Sequence, residues 1–572
     1  MRLFLCEKAS QGRDIARALG AADKGDGCFT NGAGSVAVTW ARGHLYEQAA
    51  SDDYDERYKQ WRAEDLPIVP ERWRLNPRRD ARRYVSAIRK QLAKADEVVI
   101  ATDAGREGEL IAREVLEQLD WRGPVFRLWV SAFNDKSLRA ALADLKPGKD
   151  YEPLYHAALA RSRSDWLVGM NLSRAYTCQA RRQGVDMLFS AGRVQSPTLA
   201  LIVRRDAEIA RFVPQPYYAV NILVEHRDGR FRAAWLPPED IADANGRCLD
   251  RTRAETIVSR VTGATGTIES AATRRKREAP PLLLSQPRVQ RLASRLYALP
   301  LERTDAILQE LYDRDKLITY PRTESRYLAV SQEEDIPDIS AALRANLGWG
   351  KLLDQADLAL RSRVWNDAKL TDHHAIIPTP GRADLASLDE EKRKLYTLIA
   401  RYYLAQFFPH YEYDQTTIFA VFGQDGRGRD RSGQDRSGRD RFKTTGRVSV
   451  IEGWRTVIQP PKDRAGAAAG GDAAGKEQAL PKVAANDPVR AAEAKVENRQ
   501  TRPPAHYTDD TLIEAMTSIA KFVTDPKLKK VLRETSGIGT SATRSDIIKT
   551  LRKRAYIKRV KKRFLVSTPE GR

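Results

Sequence analysis

The chain is 572 residues long, with 97 Lys and Arg against 76 Asp and Glu, a formal net charge of +21. That length gives room for several domains, and the positive excess points to a polyanionic partner, most simply nucleic acid. Four cysteines with no C-x-x-C pair argue against a zinc ribbon and a disulfide scaffold; with no leader and no membrane-length apolar run, the protein is expected in the cytoplasm.

Leu3-Phe4-Leu5 reads as a short buried strand ending at Glu7-Lys8. A second strand, Glu97–Ala101, runs into Thr102-Asp103-Ala104-Gly105-Arg106-Glu107-Gly108-Glu109 and a helix with Ile111, Val115, Leu116 and Leu119 inward. Strands alternating with helices predict a parallel α/β sheet whose ligands gather beyond the strand carboxyl ends. Glu7, Asp103 and Glu107 would then converge on one edge. Clustered carboxylates can hold a magnesium ion, and one kept protonated by its neighbours can act as a general acid. Each alone also suits an ordinary helix start.

Residues 155–214 read as helical and basic. Arg161, Asp165 and Gly169 fall four apart on one face, a spacing that suits an exposed ion pair. In the run 190–199, Arg193, Gln195, Ser196 and Thr198 stand at a helix start, where amide donors favour anions. Residues 218–235 alternate as a hairpin turning at Asp228-Gly229. A helix over 285–299 carries Arg288, Arg291 and Arg295 as a stripe usable against phosphates.

A further helix delivers the chain to Lys316-Leu317-Ile318-Thr319-Tyr320-Pro321-Arg322. The proline biases Tyr320 toward an extended backbone, and in an extended chain Tyr320 and Arg322 share a face. A phenol beside a guanidinium suits attack on a phosphodiester, the hydroxyl as nucleophile and the arginine on the phosphate oxygens. His373 and His374 follow in the run 371–379. Strands are expected at 415–422 and 442–450, separated by a charged Gly-rich repeat over 424–441 that cannot bury a core. Residues 462–504 read as a linker by composition. Within it Gly470 to Lys476 imitates a nucleotide-binding loop, but Glu477 replaces the required Ser or Thr, so no ATP site is expected. From Tyr507 order returns, and Thr540 opens a helix over 541–554 whose amides, with Arg544, could grip a phosphate.

Cys6-Glu7-Lys8 after the first strand and the run 102–109 together resemble the Toprim domain. With Tyr320-Pro321-Arg322 and Gly192-Arg193-Val194-Gln195 added, the chain resembles type IA DNA topoisomerases, and the missing zinc cysteines suit the topoisomerase III branch. Where the fullest family motif has a second aspartate, this chain has Gly105, expected to ease the strand-to-helix turn. The resemblance implies a multidomain α/β and α+β fold: a Toprim domain (1–150) plus a toroidal core. That core comprises a helical DNA-binding domain (151–214 and 505–572), a β-rich arch (215–279 and 401–460, with a disordered insert at 424–441), a winged-helix-like tyrosine-bearing domain (280–400) and a linker (461–504).

The resemblance also assigns roles. Tyr320, Glu7, Lys8, Arg322 and His373 would be catalytic, His373 being favoured over His374 by alignment on Ala375-Ile376. Arg161, Asp165, Arg193, Gln195, Ser196, Thr198 and Arg544 would bind DNA, and Glu7, Asp103 and Glu107 would hold Mg2+. The implied activity is ATP-independent cutting of one strand through a 5′-phosphotyrosine, strand passage and resealing. Its partners would be single-stranded and negatively supercoiled DNA of the nucleoid or a plasmid, met by a monomer that can work with a helicase. The family's sequence normally runs on past Arg572. Two other readings stay open: a magnesium-dependent Toprim nuclease or primase, which would use the carboxylates and not Tyr320, and a non-catalytic single-strand-binding protein.

Overall fold

The computed structural model describes residues 1–130, 135–370, 372–423, 439–458, 479–535, 537–540 and 543–572. The segment 424–438 and the nucleotide-loop imitation at 470–476 lie outside the described residues.

The first domain is built on a seven-stranded sheet with Arg2–Cys6 at its centre, flanked by Val36–Trp40 and Glu97–Ala101 in parallel. Leu3, Phe4, Leu5, Val98, Val99 and Ile100 are buried, as continuous apolar runs must be when helices cover both faces. The register pairs Cys6 with Ala101, so the two strands end side by side. The residues that follow each, Glu7 and Asp103, therefore emerge at one sheet edge.

The helix Arg106–Gln118 packs on the long helix Glu152–Arg182, with Leu110 against Tyr155 and Ala158. Gln195–Ala210 shares a second core with the C-terminal helices Asp509–Thr517 and Arg544–Lys553. In that core Leu201 and Ile202, both from Gln195–Ala210, meet Leu512, Met516, Ile548 and Leu551.

The β-rich part closes as a barrel of six strands, in the order Pro216–His226, Gly229–Trp235, Asp440–Ile451, Tyr411–Phe422, Thr265–Glu278, Pro488–Gln500. Two expectations fail here. Pro488–Gln500, read as linker, pairs along Pro216–Glu225 on one side and Thr265–Thr267 on the other, and so closes the barrel. The end of the expected disordered insert is also ordered: Asp440 and Arg441 pair with Phe422 and Val421, and Arg260 holds the buried Asp440 carboxylate at 2.7 and 2.8 Å.

The tyrosine-bearing part packs the helices Gln286–Tyr297 and Leu301–Asp313 around a large core that includes Leu317, Ile318, Ile376 and Ile377. Of the arginine stripe on the first of these, Arg291 is taken up inside the protein, bonding Asp510 and Glu514 at 2.7 Å each. Among the described residues, no helix is long and apolar enough to cross a membrane.

Candidate active site

Tyr320 is delivered by a short pleat. Leu317 and Ile318 are fully buried, Thr319 donates its amide to Ile377 O at 2.9 Å, and Thr379 donates to Leu317 O at 3.0 Å. Each buried aliphatic side chain contributes about 1.5–3 kcal/mol, enough to fix where the phenol emerges. Beyond Pro321 the chain turns, with the Thr323 amide on Pro321 O at 3.0 Å. Arg322 is accordingly exposed while Tyr320 is half-buried, so the extended pairing of the two side chains on one face ends at the proline.

The phenol meets the sheet edge of the first domain. The Lys8 ammonium lies 3.7 Å from the Tyr320 ring centre, a cation–π contact, and the His373 ring centre lies 4.6 Å away. Both neighbours are fixed by Asp103: Lys8 Nζ reaches Oδ2 at 3.3 Å, and His373 Nε2 reaches the same oxygen at 3.0 Å. Gln11 Nε2 donates to the other oxygen at 3.1 Å. Gln11 also accepts the Glu7 amide at 3.0 Å, and Glu7 Oε2 faces the Asp103 amide at 3.4 Å. A cavity of about 380 Å³ opens beside the phenol, lined by Lys8, Gln11, Tyr312, Tyr320, Asp335 and His373 among others.

These contacts divide the two acids. Burial, then the negative charge of Asp103, pushes Glu7 up to about 7. Burial would raise Asp103 as well, but His373 and Lys8 outweigh it and hold the carboxyl well below the usual range. Burial likewise raises Tyr320, with Lys8 opposing, so the resting phenol keeps its proton. His374 lines the same cavity but is tied to its own backbone: its Nδ1 donates to Ala375 O at 2.7 Å, and burial pushes the ring down to about 4.

Glu107 stands apart from Glu7 and Asp103 in its bonding. His44 Nε2 lies 3.5 Å from it and Arg161 NH1 donates at 3.3 Å. The His44 bond, helped by Arg161, lowers its carboxyl against burial. His44 also bonds Glu114 at 3.1 Å, and despite burial the two carboxylates raise it to about 9. Among the described residues, no three His, Cys, Asp or Glu side chains are placed to share one metal ion. The expected trio of Glu7, Asp103 and Glu107 is therefore not assembled, because His44 and Arg161 hold Glu107 as an ion pair.

Of the expected DNA ligands, Arg161, Asp165 and Arg193 form one chain. Arg161 Nε is 3.9 Å from Asp165, and Arg193 NH1 donates to Asp165 at 3.0 Å. Gln195 donates to Ser190 Oγ at 2.6 Å, and Ser196 Oγ caps the Gly192 amide at 3.1 Å. Two expectations are corrected. Thr198 is buried and returns its hydroxyl to Val194 O at 2.8 Å. Arg544 is fully buried, donating to Ile538 O, Gly539 O and, at 2.7 Å, Glu324 Oε1, so it ties the tyrosine-bearing loop to the C-terminal helix and cannot reach a phosphate.

Sequence reasoning passed over several residues. Gln11, four positions after Glu7 at a helix start, was legible as a same-face neighbour. Arg127 was not: its buried guanidinium donates to Ile100 O, Thr102 O and Asp103 O at 3.0, 2.9 and 2.6 Å, fixing the backbone that carries Asp103. Its Nε stands 2.6 Å from Glu109, also fully buried.

A Toprim domain joined to a multidomain body of mixed helices and sheets is the fold of type IA topoisomerases. The family described as DNA topoisomerase matches residues 149–572, and the Toprim domain matches residues 2–133. The chain belongs to the DNA topoisomerase family, in its type IA class, and is a DNA topoisomerase. It is 38% identical to the DNA topoisomerase 3 of Vibrio cholerae over 587 residues, covering 100% of this chain and 86% of that one. To the DNA topoisomerase 3 of Salmonella typhimurium it is 40% identical over 584 residues, with the same coverage. In fold it resembles topoisomerase I of Thermotoga maritima, with a TM-score of 0.62 at 21% identity over 99% of this chain and 80% of that one.

Proposed function

We propose that Tyr320 is the nucleophile that opens one DNA strand. Its hydroxyl oxygen bonds to phosphorus, the bond from phosphorus to the 3′ oxygen breaks, and a 5′-phosphotyrosine and a free 3′-hydroxyl result. Lys8, over the ring, and Arg322, at the exposed start of the turn, are suited to the charge that builds on the phosphate oxygens. Glu7, protonated below about 7, gives its proton to the departing 3′ oxygen and takes it back on rejoining. The phenolic proton leaves to solvent through the cavity. His373 orients the site from Asp103.

The covalent link conserves the energy of the broken bond, so strand passage and resealing need no ATP. Single-stranded DNA reaches the phenol along the Arg161–Asp165–Arg193 chain, and negatively supercoiled DNA supplies such strands most readily.

The Toprim fold typically binds Mg2+. Glu7 and Asp103 fit a magnesium ion that keeps several waters and takes one or two carboxylates plus substrate phosphate; Glu107, ion-paired elsewhere, does not. Bound there, magnesium would compensate charge around the phosphate during rejoining.

The observation that carries this reading is the phenol of Tyr320 lying 3.7 Å from Lys8 and 4.6 Å from His373, both anchored on Asp103. Relaxation of negatively supercoiled plasmid, and trapping of DNA on the protein by denaturant, should both vanish in Tyr320→Phe. Equal covalent trapping in the two proteins would end the assignment.

A further inference from the structure

Gly105 opens the helix Arg106–Gln118 with φ −170° and ψ 179°. That is extended backbone open to any residue, so the local fold does not call for glycine. The expectation that it eases the turn is thereby corrected. What excludes a side chain is space. A Cβ built on Gly105 would stand 2.3 Å from Asp372 Cγ and Oδ2 and 2.5 Å from Oδ1. Asp372 belongs to the tyrosine-bearing part and directly precedes His373. The helix start has no side-chain cap of its own.

We propose that the absent side chain at 105 is a socket, and that the Asp372 carboxylate seated in it registers the tyrosine-bearing part on the Toprim sheet. With Asp372 seated over the helix start, the next residue places its ring on Asp103, and the phenol follows at 4.6 Å from that ring. Asp372 is a positioning residue: it acts through His373 and Tyr320, and it must leave the socket each time the two parts separate to pass a strand. This rests on Tyr320 being the nucleophile.

The test is single-turnover cleavage of an excess of single-stranded oligonucleotide, read as covalent complex, in Gly105→Ala, Asp372→Ala and the double variant. A misplacement of about 1 Å can cost about 100-fold in rate. Gly105→Ala should therefore slow cleavage by about 10- to 100-fold, with oligonucleotide affinity and melting temperature at wild-type values. Asp372→Ala should slow it only a few-fold, since no side chain then competes for the socket. The double variant should recover to the Asp372→Ala rate, because removing the carboxylate makes room for the methyl group. Wild-type cleavage by Gly105→Ala, or a double variant no faster than Gly105→Ala, would overturn the socket. Failure of the underlying reading would look different: Tyr320→Phe would still form covalent complex, whatever the Gly105 series did.

Discussion

At Glu7 the balance between burial and charge sets the chemistry that is available. An acid pushed up to about 7 holds its proton below that pH and loses it above. The protonated form is the one that serves the leaving oxygen. Single-turnover cleavage without metal should therefore fall about tenfold per pH unit above 7. Glu7→Gln should flatten that limb and slow the step by about 100- to 10,000-fold; a limb that persists in the variant would assign it to another group. Linkage runs the same way. A carboxyl whose folded value exceeds its ordinary value of 4.5 contributes stability that is complete below 4.5 and lost as pH climbs through 7. Metal affinity separates the carboxylates. Asp103→Asn should weaken Mn2+ binding, followed by electron paramagnetic resonance, by more than about tenfold, whereas Glu107→Gln should leave it near wild type. The positions of Glu7 and Asp103 were legible because each follows a buried strand, and strand ends of a parallel sheet meet at one edge. The partner of Glu107 was not, since His44 lies far along the chain and only the packed domain brings it near.

Among the elements, the strand Val125–Arg127 is short, yet its last residue locks two others together. Arg127 bonds the backbone after Glu97–Ala101 and pairs with Glu109 on the helix Arg106–Gln118, both side chains fully buried. Removing one partner of such a pair leaves a buried charge, at a cost of about 3–5 kcal/mol. Arg127→Met should lower the denaturant midpoint accordingly, and Arg127→Met with Glu109→Leu should recover most of the loss. A double variant as unstable as the single would show that the bonds to the Asp103 backbone matter more than the ion pair. The barrel shows where element-level legibility stops. The hairpin at Asp228-Gly229 was readable from alternation and its turn, and the ladder from Asn221↔Ala234 to His226↔Gly229 follows it. Pro488–Gln500 was hidden because its Ala, Glu and Lys content argues against strand and a register shift at Leu223/Val224 breaks its alternation. Partners on both edges override that local preference.

Across the whole molecule, the interfaces differ in kind. The Toprim domain is fastened to the helical domain by apolar contact at Leu110, Tyr155 and Ala158, and the helical domain to the tyrosine-bearing part by buried Leu301 together with the ion pairs of Arg544 with Glu324 and of Arg291 with Asp510 and Glu514. The tyrosine-bearing part shares its core with barrel residues Tyr411 and Tyr413. Between the Toprim sheet and the tyrosine-bearing part the contacts described above are polar: Lys8 on Tyr320, His373 on Asp103, Asp372 on Gly105. To these the seam adds Ser137 on Ser331 at 2.6 Å and Lys136 on Glu334 at 2.7 Å. Water can replace polar contacts at little cost, whereas separating an apolar core exposes area at about 25 cal/mol per Å². A gate should open along the polar seam, which is also where the phosphotyrosine would bridge the gap. The four native cysteines are buried, so dyes can be placed at exposed Arg122 and Arg344 as Arg122→Cys and Arg344→Cys. Energy transfer between them should report the seam. Glu334→Lys sets two ammonium groups face to face and should shift the distribution toward separation at low salt. The difference from wild type should shrink as the screening length falls toward about 3 Å near 1 M. If charge reversal left the distances unchanged at every salt concentration, the opening would have to lie along one of the other joints instead, and the polar character of this seam would have no bearing on strand passage.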